Sequence, residues 1–177
     1  IKSVKPNCKY TGLDIQVHRQ TNSLKKLIDK YIICSSKNFV KSINSLKFFD
    51  AIISSHNLEH VDERDKVLTA MTKKLKRGGK IYLSFPCKES INFPRRVGTL
   101  NYYDDDTHKL LPPDFEKVIS ILQKEDFKII FASKRYRPLI LFLVGLIMEP
   151  ISIIRKKVLF GTWDLYGFET IIHAQKR

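Results

Sequence analysis

Two imidazoles, His56 and His108, are the groups in this chain best suited to move a proton near neutral pH, where an unperturbed imidazole titrates. His56 stands in a polar corner, Ser55-His56-Asn57, which interrupts the apolar run Ala51-Ile52-Ile53. His108 follows Asp104, Asp105 and Asp106, in a stretch that also holds Tyr102 and Tyr103, whose rings could stack on or hydrogen-bond a small substrate. The three aspartates read as a solvated turn, because three adjacent residues of one loop rarely converge on an ion without further ligands. No metal site is expected. Glu59 and His60, just past the corner, read as partners of each other or of nearby backbone. Neither a Ser-His-Asp hydrolase elbow nor a phosphate-binding glycine loop occurs in the sequence.

The corner needs a strand before it and a helix after it. Phe48 to Ile53 predicts a short strand buried on both faces of a parallel sheet. Asp62 then suits a helix N-cap, with Asp65 in the reciprocal position, and Val67, Leu68, Met71 and Leu75 recur on one face. Lys73, Lys74, Lys76 and Arg77 complement the helix dipole in the last turn, and Gly78 can close it in the left-handed conformation. Ile81, Leu83 and Phe85 supply the next strand. A right-handed strand-helix-strand crossover of this kind places Ser55 to Glu59 at the carboxyl end of a strand, where open sheets bind ligands.

The flanking segments extend the pattern. Tyr10 to Ile15 reads as a strand with Asp14 at its end, Ser23 to Lys30 as a short amphipathic helix or turn, and Tyr31 to Cys34 as a short strand. Residues 92–113 form a loop of the length usual for a lid. Phe115, Val118, Ile119 and Leu122 mark a helix, Lys128 to Ala132 a strand, and Phe168 to Ala174 the last strand. The alternation predicts one α/β three-layer sandwich over residues 1–177.

The charge balance, 32 Lys and Arg against 18 Asp and Glu, gives +14 and favours an anionic partner. The cations are scattered in short runs, so the dense basic stripe of a nucleic-acid binder is missing. Three cysteines, Cys8, Cys34 and Cys87, without paired spacing fit core thiols in a reducing, cytoplasmic setting. Residues 138–157 hold an apolar insertion. Its run from Pro138 to Ile154 is interrupted by Glu149 and Pro150 and falls short of the about 20 apolar residues a span takes. A helix from about Leu139 to Met148, broken at Pro150, is expected. Its apolar excess calls for a homodimer contact or a membrane surface, with Arg155, Lys156 and Lys157 suited to anionic headgroups.

The stretches "YTGLDI", "FDAIISSHNLEHV" and "LKRGGKIYLSFP", in this order and spacing, resemble the class I S-adenosylmethionine-dependent methyltransferases, in particular the small-molecule group with a Leu-Glu-His corner. The resemblance covers Tyr10 to Pro86 well and the remainder loosely. It implies a Rossmann-like sandwich with a mostly parallel sheet and a C-terminal antiparallel strand. It implies S-adenosylmethionine as cofactor, with Asp14 holding the ribose hydroxyls, Ser35 and Ser36 bordering the adenine, and Ser55, His56 and Asn57 forming a floor under the methionine part. Asp14 and this floor should then lie in one cleft. Transfer to a small-molecule acceptor such as a sugar would need alignment with the methyl group and removal of a proton, for which His56 and His108 are the candidate bases. Two departures stand out: serines replace the acid usual after the third strand, and Arg77 replaces a proline.

A third departure is larger. The family begins with a strand and a glycine-rich turn, and "IKSVKPNCK" contains no glycine. The first strand and glycine loop are expected to be missing, leaving a gap between the second and fourth strands and a chain that binds the cofactor weakly and is inactive. The alternatives are a non-catalytic binding or assembly module, a nucleic-acid methyltransferase, which would need an Asn-Pro-Pro-Tyr type of corner, and a dinucleotide oxidoreductase, which would need a glycine fingerprint.

Overall fold

The computed structural model describes residues 6–15 and 27–177. Its strands form two sheets. β1 (Thr11–Asp14) and β2 (Lys30–Ile33) pair in parallel. β3 (Phe49–Ser55), β4 (Leu75–Pro86), β5 (Phe127–Ser133) and β6 (Glu169–Lys176) form the second sheet in the order β3-β4-β6-β5. β3 is parallel to β4, and β6 is antiparallel to both β4 and β5, so β3, β4 and β5 share a direction that β6 opposes. This is the predicted Rossmann-like arrangement with its reversed C-terminal strand. The segment expected as a helix or turn from Ser23 lies mostly outside the described residues, and Lys30 already belongs to β2.

Among the described residues no ladder joins β1 to β3. β3 consequently departs from its predicted burial on both faces: Ile53 is 56% exposed and Ala51 is exposed too. Its run is apolar, but with no strand paired on its far side among the described residues it is an edge strand, which leaves backbone and side chains to solvent.

Among the described residues five helices cover the sheets: α1 (Phe39–Asn44), α2 (Arg64–Lys73), α3 (Phe115–Lys124), α4 (Leu139–Arg155) and α5 (Thr162–Tyr166). The core gathers Ile81, Leu83 and Phe85 of β4, Val67, Leu68 and Met71 of α2, Val118 and Leu122 of α3, and Phe39 of α1. The period-2 pattern of β4 meets the period-3.6 faces of α2 and α3 there.

Three boundaries differ from expectation. α2 starts at Arg64 with Glu63 rather than Asp62 as N-cap, and no side chain caps it. Glu63 is instead drawn 2.5 Å from Lys66 Nζ. α2 also ends at Lys73, short of Gly78, because Leu75 enters the ladder opposite Phe49, whose amide donates to the Lys74 carbonyl at 2.8 Å. Gly78 does adopt a left-handed φ of 74°, but inside β4, where the register jumps between Phe49 and Ala51. Lastly, α4 runs through Pro150 to Arg155 instead of breaking there. The proline removes one helical hydrogen bond. The turn is held by side chains: Arg96 binds Glu149 and Ser152, and Ser152 Oγ donates to the Lys157 carbonyl at 2.6 Å. At the other flank α4 meets the start of α5 so closely that a methyl at Gly145 would overlap the Gly161 carbonyl.

Candidate functional site

β3 delivers Ser55 to the end of the sheet, where its hydroxyl lies 2.9 Å from that of Ser84 on β4. His56 follows with φ 47°, a left-handed conformation that costs a side-chain-bearing residue about 1–2 kcal/mol. Its amide donates to the Ser84 carbonyl at 2.9 Å, and its ring stacks on Phe168, with Trp163 tilted 5.5 Å away. Both ring nitrogens are taken by carboxylates: Nδ1 lies 3.0 Å from Glu59 Oε1 and Nε2 lies 2.6 Å from Glu169 Oε1. Burial works against the charged ring, but the bonds to Glu169 and Glu59 outweigh it and push the pKa up to about 9. At neutral pH His56 is therefore an imidazolium that donates on both sides. It has no lone pair with which to take a proton, so in this arrangement it is not the free base its residue type suggests.

Past the corner, Leu58–His60 forms a short 3-10 turn that buries Glu59 completely. Glu59 Oε2 and Asn57 Oδ1 are buried with no hydrogen-bond partner among the described residues. The long loop is clasped onto this turn. Lys109 N donates to the Glu59 carbonyl at 2.9 Å, and Arg64 reaches the Leu111 carbonyl, the Glu59 carbonyl and the Tyr102 hydroxyl. Tyr102 is buried, and its ring stacks 4.2 Å from that of His108. His108 Nδ1 lies 2.6 Å from the Tyr102 carbonyl and so must carry the proton, which leaves Nε2 with its lone pair. Burial lowers the His108 pKa, and the ring is neutral at pH 7. The aspartates before it build the turn: Asp104 Oδ2 accepts the amides of Arg96, Leu100 and Asn101, and Asp105 Oδ1 accepts from Thr107.

The second group of predicted site residues gathers on the other sheet. Asp14 ends β1, its carboxylate accepting the Ile15 amide at 2.7 Å and the Tyr31 hydroxyl at 3.0 Å. Burial, and then Asp14, push the Tyr31 pKa up to about 12. The Cys34 amide donates to the Asp14 carbonyl at 3.0 Å, which brings Ser35 and Ser36 beside the acid at the carboxyl ends of β1 and β2. Ser35 is exposed and Ser36 half-buried. A cleft of about 520 Å³ opens elsewhere, between the start of α2 and residues 110–114, and contains neither His56 nor Asp14.

Sequence reasoning did not find Glu169, Trp163 or Phe168, which surround His56 from a segment more than 100 residues downstream. For Phe168 and Glu169 the one available signal was position, at the start of the predicted last strand, and Trp163 carried none.

Residues 3–83 match a family described as a methyltransferase domain. No curated protein matches the chain in sequence. Solved structures resemble it in fold. An S-adenosylmethionine-dependent methyltransferase from Mesorhizobium loti is 13% identical with a TM-score of 0.63, over 98% of this chain and 83% of that one. The N-methyltransferase NodS from Bradyrhizobium japonicum, in complex with S-adenosyl-L-homocysteine, is 13% identical with a TM-score of 0.57, over 99% and 70%. A SAM-dependent methyltransferase from Archaeoglobus fulgidus is 22% identical with a TM-score of 0.51, over 94% and 75%.

Proposed function

We propose that this chain, which has the class I S-adenosylmethionine-dependent methyltransferase fold, contributes to methyl transfer from S-adenosylmethionine to a small-molecule acceptor, a sugar or another metabolite. The observation that carries this reading is the match of residues 3–83 to a methyltransferase domain, with Asp14 and the Ser55-His56-Asn57 corner at the carboxyl ends of parallel strands. Asp14, Ser35 and Ser36 would hold the adenosine, because a carboxylate can accept two hydrogen bonds from a vicinal diol. Ser55, His56 and Asn57 would floor the methionine part. The protein's task is then alignment and proton removal, since the sulfonium already makes the methyl group reactive. His108, whose Nδ1 is the donor and whose pKa burial lowers, is by its charge state the better of the two candidate bases.

β1 and β3 belong to separate sheets, so the adenosine wall and the methionine floor are not fixed relative to each other by a ladder. The 177-residue chain is accordingly expected to bind S-adenosylmethionine more weakly than micromolar and to transfer no methyl group. Calorimetry tests this, together with a mass-spectrometric screen for methylated sugars and metabolites. Micromolar binding that Asp14→Asn leaves unchanged would overturn the assignment of Asp14. Tight binding without transfer to any acceptor would favour a non-catalytic binding module, a reading helped by the occupied ring of His56.

The apolar insertion is assigned a membrane surface. Leu139, Ile140, Leu143, Leu146, Ile147, Ile151 and Ile154 are all exposed and recur every three to four residues along α4, with Arg155, Lys156 and Lys157 exposed at its end. Among the described residues no helix is long and apolar enough to cross a membrane. A stripe of this kind can lie in the plane of an anionic interface, where each nearby cation adds about 1 kcal/mol. The chain should cosediment with phosphatidylserine vesicles at low salt and much less with phosphatidylcholine vesicles. A chain that stays in solution and forms a dimer would assign the stripe to a second copy.

A further inference from the structure

The structure assigns a divalent transition-metal site to Glu59, His60 and His108, at the junction of the 3-10 turn and the long loop. The three residues can each bring one ligand atom within 4.8 Å of the others, and no ion is present. Three features make this more than a chance grouping of polar residues.

The first is the orphan carboxylate oxygen. Glu59 is wholly buried, its Oε1 accepts from His56, and its Oε2 has no hydrogen-bond partner among the described residues. Leaving a carboxylate oxygen buried and unpaired is costly, and a cation removes that cost. The second is the set of tautomers. The Thr107 hydroxyl donates to Asp105 Oδ1 at 2.5 Å, so at 3.0 Å it must accept from His60 Nδ1. His108 Nδ1 donates to the Tyr102 carbonyl. In each ring Nδ1 is the donor, so Nε2 is the atom left to offer a lone pair to a metal when the ring is neutral, and both have the outer hydrogen bond that orients ligating histidines. The third is placement. The rings are 4.8 Å apart at their centroids, Glu59 is buried, the His108 side chain is only 6% exposed and His60 is half-buried, so the ligand atoms gather in a partly enclosed spot rather than splaying into solvent. Asp105 Oδ2 lies 3.9 Å from His108 Nε2 and stands near as a further anion.

Two imidazoles and a carboxylate suit zinc and its first-row neighbours better than magnesium or calcium, which prefer all-oxygen shells. Donors on a tetrahedral zinc lie about 3.4 Å apart, so binding would draw any two of the ligand atoms together by at most about 1.4 Å. The ion would join Glu59 and His60 of the turn to His108 of the loop, a span of 48 residues in sequence that the fold closes. An ion on His108 Nε2 excludes a proton from that atom, so metal binding and a general-base role are alternatives there. The proposal does not depend on methyl transfer.

Titrating the chelator-treated 177-residue chain with Co²⁺ alone, and then displacing it with Zn²⁺, tests the site. One equivalent is expected to bind, with the strong d–d absorption of a four- or five-coordinate ion and a raised melting temperature. His60→Ala and His108→Ala should each weaken binding at least tenfold, while His173→Gln, on β6, should leave it unchanged. Thr107→Val keeps all three ligands and should weaken binding about 10–100-fold through the lost outer hydrogen bond. This variant settles the matter even if the histidine variants fold poorly. Absence of binding, wild-type affinity in Thr107→Val, or a thiolate charge-transfer band placing the ion on a cysteine would each overturn the assignment.

Discussion

In chelated protein, unfolding free energy is expected to fall by about 3 kcal/mol as pH rises from 6.5 to above 9, with His56 as the cause. The ring's ordinary pKa is 6.5, and in the fold it is raised to about 9. A group whose pKa is raised by folding contributes its full stabilisation below the unfolded value and loses it as pH climbs through the folded one. At 1.36 kcal/mol for each unit, a rise of about 2.5 units gives the stated size. The groups facing the ring are Glu59 and Glu169, both accepting from it, with Trp163 and Phe168 packed on its faces. His108 acts in the opposite sense and at lower pH: its pKa is lowered by burial, so its neutral form stabilises the fold until acid charges it below 6.5. Denaturant titrations at several pH values check the slope. His56→Gln should flatten it, and should also destabilise the fold at pH 6.5, because Glu59 then keeps its burial and loses its cation. An unchanged slope in that variant would show that another group titrates.

Local patterns made the core legible, and long-range partnerships were not. The alternation of Ile81, Leu83 and Phe85 and the helical spacing of Val67, Leu68 and Met71 are properties of short windows, and the structure uses them as read. The exposure of Ile53 could not be read from its window, because burial of a strand depends on what lies beside it. The same limit applied at the candidate site. The corner residues announce themselves by interrupting an apolar run, so Ser55, His56 and Asn57 could be named. The charge of His56 is set by the nearby Glu59 together with Glu169, which is 113 residues away in sequence. His60 and His108 were each visible, but only the loop path from Tyr102 to Lys109 brings their rings together. Glu149 reads as an interruption of an apolar helix for a related reason, since its partner Arg96 lies 53 residues away.

Arg96→Ala should cost about 3–5 kcal/mol, the usual penalty for removing one member of a buried ion pair. The Arg96 side chain is 5% exposed and that of Glu149 15%. The pair is bidentate, with Nη1 2.8 Å from Oε2 and Nη2 2.6 Å from Oε1. Nη1 also donates to Ser152 Oγ at 2.6 Å, and the Tyr166 hydroxyl donates to Glu149 Oε1 at 2.6 Å. With the guanidinium gone, Glu149 keeps the burial that disfavours its charge and loses the Arg96 bonds that do most to hold its pKa low, keeping only that of the Tyr166 hydroxyl. Arg96→Lys should recover only part of the loss, since an ammonium cannot form the fork. The double variant Arg96→Met with Glu149→Leu should be far closer to wild type than Arg96→Ala alone, because no charge is left buried. Chemical denaturation of the three variants measures this, and equal losses in the single and double variants would refute it. The effect should also reach the candidate site. Arg96 starts the loop that carries His108 and fastens it to α4, and its amide is one of three held by Asp104. Loosening that anchor should expose residues 97–109 to faster amide exchange than β4 or α2, and should reduce whatever binding depends on His108 before the fold as a whole gives way.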